Sequence, residues 1–133
     1  MNIQKTGYPL TISNRLISIL TQEIERSQID RSSGCIINFR DPDYSAESGG
    51  YHPVEICLDA QGRFQYITDF AYVGQGHYAE LAKELDFDFG YGLFQQMGRD
   101  YPIAQGAGLF KIWQSNFCDY YQHKVYRVTV QEL

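Results

Sequence analysis

The chain has 133 residues, a net charge of −5 and a pI near 5.0. That length fits one domain, residues 1–133, able to bury roughly two thirds of its unfolded surface. The acidic balance argues against non-specific nucleic-acid binding and against an electrostatic membrane anchor, both of which need clustered basic residues.

No apolar run approaches the roughly 20 residues that cross a bilayer. The stretch from Met1 to Pro9 carries one positive charge and no following apolar segment, so it reads as neither a secretory signal nor a transit peptide. A cytoplasmic protein is expected, with residues 1–10 a loosely ordered N-terminal segment. Cys35, Cys57 and Cys118 are odd in number and widely spaced, with no Cys-x-x-Cys pair. They read as reduced, buried thiols.

The first element is a helix from about Ser13 to Ser27. Ile12, Leu16, Ile17, Leu20 and Ile24 recur at helical spacing, and Ser13 or Asn14 suits its N-cap. Residues 29–34 form a break. Cys35 to Arg40 then alternates as a strand, with Cys35, Ile37 and Phe39 on one side. Residues 41–50 have loop composition throughout.

A hairpin follows. Val54, Ile56 and Leu58 alternate with Glu55, Cys57 and Asp59, and Asp59 to Gly62 supplies the turn. The returning strand runs from Arg63 to about Val73, with Phe64, Tyr66, Thr68, Phe70 and Tyr72 expected on one face. Residues 74–77 break the pattern. Tyr78 to Glu84 reads as one or two helical turns or an irregular crossover. Leu85 to Phe89 reads as a strand, Gly90 to Gly92 as a bulge or bend, Leu93 to Met97 as more sheet, and Gly98 to Pro102 as a turn.

A second amphipathic helix is expected from about Gly108 to Gln122, with Leu109, Ile112, Trp113, Phe117, Tyr120 and Tyr121 on one side. The strand Val125 to Glu132 closes the chain. The order α, a run of β, α, β predicts an α+β fold. Its frame is a twisted antiparallel sheet of five to seven strands, with the two helices packed on it. Leu16, Leu20, Ile37, Val54, Ile56, Phe64, Tyr66, Phe87, Phe89, Trp113 and Phe117 are the expected core.

Motifs with chemistry are scarce. Asp86 and Asp88 lie two apart in a strand, so their carboxylates share a face. They are either a solvated face that discourages edge pairing or the seed of a small metal-dependent hydrolase. His52, His77 and His123 each sit beside a turn with no partner in sequence and read as surface or loop-packing histidines. The glycine pairs at 74–76 and 90–92 are too short for a dinucleotide fingerprint.

No cofactor and no metal are expected, and the chain reads as a non-enzyme. Eleven Tyr, eight Phe and one Trp are more aromatic surface than one sheet-and-helix layer easily hides. Trp113, Phe117, Tyr120 and Tyr121 are therefore candidates either for the core or for a binding surface in a homo-oligomer or with a protein partner.

Three stretches carry a family resemblance: Glu80 to Phe89, Leu109 to Phe117, and Tyr126 to Val130. In them the chain resembles a bacterial family of uncharacterised proteins encoded in genomic islands and other mobile elements. That family is similar in fold to the mitochondrial glycoprotein family, which includes the complement C1q globular-head-binding protein. The resemblance implies a twisted antiparallel sheet with helices packed on it, assembly as a ring-like trimer, and no catalytic residues. This chain is shorter than those proteins, only mildly acidic, and lacks their long acidic loop; its strand after the second helix is a further departure.

Overall fold

The structure, a computed structural model, describes residues 2–30, 32–74 and 76–133. Met1, Arg31 and Gln75, which belong to the N-terminal segment and to two of the breaks read above, lie outside the described residues.

Helix α1 spans Asn14–Ser27. Ser13 caps it, its side chain accepting from the Leu16 amide at 3.1 Å, and Gln28 ends it in the left-handed region at φ 56°. The strands are β1 (Cys35–Arg40), β2 (Val54–Leu58), β3 (Phe64–Val73), β4 (Glu80–Asp88), β5 (Leu93–Gln96), β6 (Arg99–Pro102) and β7 (Arg127–Glu132). Helix α2 spans Ala107–Gln122.

The strands form one sheet in the order β6-β5-β4-β3-β2-β1-β7, antiparallel at every pairing. The α+β reading holds, at the upper end of the expected strand number.

One core cluster joins Leu16, Leu20 and Ile24 of α1, Ile37, Ile56, Ile67 and Phe87 of the sheet, and Phe110, Trp113 and Phe117 of α2. Both helices therefore cover the same sheet face. Each such side chain contributes roughly 1.5–3 kcal/mol through burial. The opposite face carries no helix among the described residues. Its centre is closed by hydrogen bonds instead, Tyr66 Oη to Glu55 at 2.5 Å and Thr68 Oγ1 to Asp86 at 2.7 Å.

The segment before α1 has neither helix nor strand. It is tied down by Gln4 N donating to Gly62 O at 2.9 Å, by Tyr8 packed edge-on against Phe64 and Phe89, and by buried Leu10 and Ile12.

Four expectations are corrected. Residues 80–84 are strand, not helical turns; Glu80 to Lys83 pair with Val73 to Phe70 and extend a long hairpin. The one short helical turn among the described residues of this stretch is Gly76–Tyr78, before β4. Arg99–Pro102 is an edge strand, and the turn before it is Met97-Gly98, both at positive φ (49° and 82°), which matches the twist of a tight hairpin.

The inward stripe of α2 is Phe110, Trp113, Gln114, Phe117 and Cys118. Ile112, placed on that side by the sequence reading, is 61% exposed. Helical geometry puts 110, 113, 114, 117 and 118 on one face and 112 nearly opposite. Finally, Tyr66 and Phe89 are half-buried rather than core. For Tyr66 the cause is a bulge in β3, described next.

Candidate functional site

Leu58 pairs with Phe64, but Cys57 pairs with Tyr66, so Gln65 is an extra residue in β3. The bulge shifts the strand by one. Phe64 points into the core, Tyr66 and Thr68 point to the uncovered face, and Ile67 and Asp69 point under α2. A second irregularity lies across from it: Asp69 pairs with Leu85 and Phe70 with Lys83, leaving Glu84 unopposed. That displacement turns the Glu84 side chain toward Asp69 and toward His52, which lies just before β2.

The three side chains meet at one atom. His52 Nδ1 lies 2.9 Å from Asp69 Oδ1 and 2.9 Å from Glu84 Oε2. A ring nitrogen carries at most one proton and serves one acceptor well. The hydrogen bond runs to Asp69, and Glu84 Oε2, buried from solvent, has no hydrogen-bond partner. Asp69 is held from its other side by Trp113, whose Nε1 donates to Oδ2 at 2.9 Å. Burial pushes the Asp69 carboxyl above the ordinary carboxylate range; the bonds from Trp113 and His52 pull it partly back, and the neighbouring Glu84 charge adds to the rise.

Above this floor a cleft of about 300 Å³ opens between α2 and the Gly50–His52 backbone. Trp113, Phe117 and Tyr126 form its inner walls, and Tyr51 and Tyr120 stand at its mouth with ring centroids 4.7 Å apart. The Trp113 ring stacks on Phe117 at 5.1 Å, with 9° between planes. Burial raises the Tyr126 hydroxyl, and the Asp69 charge raises it further. Outside the cleft, the Tyr44 ring lies 5.4 Å from the His52 ring and 5.2 Å from that of Tyr72.

The sequence candidates separate on this frame. Trp113 and Phe117 are core residues that also line the cleft. Tyr120 is 37% exposed at its mouth. Tyr121 is not part of the lining: its hydroxyl donates to Glu23 of α1, and its ring packs edge-on against Phe39.

Asp86 and Asp88 do share the uncovered face. Asp86 accepts from Thr68 and lies 3.8 Å from Lys83 Nζ, and Asp88 accepts from the Tyr91 amide at 2.8 Å within the bend. No third metal-binding side chain joins them among the described residues. His77 stacks on Tyr78, and His123 ends α2 with Nδ1 2.7 Å from Asp119 O. His52, read as a surface or loop-packing histidine, packs beside the loop residue Tyr44 and also meets Asp69 and Glu84. Asp69 and Glu84 were missed, because neither bulge has a local signature in the sequence.

A family model described as Protein of unknown function (DUF2787) matches residues 14–131. Among solved structures, the chain is similar to a hypothetical protein from the VSP-II pathogenicity island of Vibrio cholerae, with a TM-score of 0.81, 35% identity, and 96% of this chain and 99% of that one covered. It is also similar to a conserved hypothetical protein from pathogenicity island VPI-2 of Vibrio cholerae O1 biovar eltor, described as sharing structural homology with the human P32 protein. There the TM-score is 0.82 and the identity 34%, with 95% of this chain and 98% of that one covered. No curated protein matches the chain.

Proposed function

The chain belongs to the DUF2787 family, and from that premise we propose that it is a non-enzymatic binding and assembly protein, self-associating and engaging a protein partner through the mouth of the aromatic cleft. The carrying observation is the Tyr51–Tyr120 pair. These large rings are 38% and 37% exposed over a cleft walled by Trp113 and Phe117. Tyr and Trp around a concave, desolvated centre are the side chains that dominate binding energy at interfaces.

The structural homology of one relative to the human P32 protein, with the ring-like trimer that the family resemblance implies, supports assembly as the mode of action. The origin of both relatives in pathogenicity islands supports a mobile-element source for this chain too. Among the described residues no helix is long and apolar enough to cross a membrane, and the acidic balance supports a role away from nucleic acid.

Light scattering tests the reading. A mass that is a multiple of 15.3 kDa, reduced by Tyr51→Ala together with Tyr120→Ala, is expected. A concentration-independent monomer at tens of micromolar refutes self-association.

A further inference from the structure

We propose that His52, Asp69 and Glu84 form a binding site for a divalent first-row transition ion, such as Zn²⁺ or Co²⁺, at the floor of the cleft. The donor atoms of all three lie within 4.8 Å of one another. His52 Nδ1 sits 2.9 Å from a carboxylate oxygen on each side. Donors roughly 2.1 Å from one ion are roughly 3.0 Å apart at octahedral angles and roughly 3.4 Å apart at tetrahedral ones, so both spacings to Nδ1 are near those of neighbouring ligands and widen slightly around a tetrahedral ion.

Without an ion the arrangement is unbalanced. One Nδ1 proton lies 2.9 Å from both carboxylates and serves Asp69, so the buried Glu84 Oε2 is left without a hydrogen bond of its own. A cation at the focus of the three groups satisfies that oxygen and neutralises both charges. The ligands come from three separate segments, the loop two residues before β2, β3 and β4, and Asp69 and Glu84 are each aimed by an irregularity in strand register. Trp113 Nε1 on the outer oxygen of Asp69 provides the supporting hydrogen bond that orients a ligating carboxylate. The adjoining cleft leaves room for water to complete the shell. A mixed set of one imidazole and two carboxylates selects transition ions over Ca²⁺ and Mg²⁺, which favour oxygen alone.

The inference stands apart from the partner-binding reading: self-association can be lost with ion uptake intact, and the reverse. The test is titration of the chelator-stripped, full-length protein with Zn²⁺, Co²⁺, Mg²⁺ and Ca²⁺, followed by calorimetry and by the emission of Trp113, the one tryptophan. Expected are one Zn²⁺ or Co²⁺ per chain, quenching of Trp113 by Co²⁺, and a rise in Tm of roughly 8–12 °C at a hundredfold excess over Kd. Mg²⁺ and Ca²⁺ at equal concentration produce neither effect.

Glu84→Gln and His52→Gln each weaken uptake at least about tenfold. Uptake unchanged in both variants places the ion elsewhere and overturns the site. So does a folded wild type whose Trp113 emission and Tm are indifferent to Zn²⁺ and Co²⁺, a result that stands even if a variant fails to fold.

Discussion

Trp113 Nε1 donates to Asp69 Oδ2 at 2.9 Å, so the sole indole of the chain is pinned to a carboxyl that burial disfavours in its charged form. Replacing it by Phe keeps much of the ring stacking against Phe110 and Phe117 but removes the donor. A hydrogen bond to a charged group contributes about 1.5–3 kcal/mol. Trp113→Phe is expected to lower stability by that amount, and Trp113→Ala by about 3–5 kcal/mol. Urea unfolding of both variants checks this; a loss below about 0.5 kcal/mol for the Phe variant discounts the bond.

The same carboxyl sets a pH dependence. The Asp69 pKa is raised in the folded chain, so near and above the unfolded value the native state holds more protons than the unfolded state. Stability then falls with rising pH. This contribution is fully present below the ordinary carboxylate pKa of about 3.9 and is lost as pH rises through the higher folded value. Asp69→Asn removes it. Wild type minus Asp69→Asn, measured by urea unfolding, is expected to favour wild type more at pH 4 than at pH 7. The opposite trend overturns the assignment.

Gly106 abuts the Phe94 ring where the chain enters α2. A Cβ there meets ring carbons at 2.8 and 3.0 Å, and the ring is itself buried and stacked on Phe87. Gly106→Ala is expected to cost about 1–3 kcal/mol from overpacking, and at this N-cap position of α2 Ala is also less favourable than Gly. Gly108→Ala, with open space at its Cβ, is the control and is expected to be neutral or stabilising.

The thiols offer a reactivity test. Cys57 is pushed up to about 11 and Cys118 is raised, both mainly by burial. The three cysteines are buried and form no disulfide. A thiol-specific disulfide reagent at pH 8 is expected to leave the native protein almost unmodified and to titrate all three thiols in denaturant. Rapid native labelling of Cys57 contradicts its burial on the uncovered sheet face.

The sequence by itself determined the α–β-run–α–β order, the antiparallel sheet and most of the core. These follow from local periodicity: the α1 stripe, the alternation of β1 and β2, the turn ending at Gly62. Trp113 and Phe117 were legible as large buried side chains for the same reason.

The site was not legible, because strand phase is a pairwise property. The alternation of Phe64, Tyr66, Thr68 and Phe70 places Asp69 outside, and only the extra residue at Gln65, set by pairing with β2, turns Asp69 under α2. Residues 80–84 have a polar composition that suits a helical turn. Pairing with the end of β3 made them strand and left Glu84 unopposed, facing His52. Composition and period are written along the chain, whereas the register between two strands is chosen by the packing of both, and that choice brought an imidazole and two carboxylates within 4.8 Å of one another.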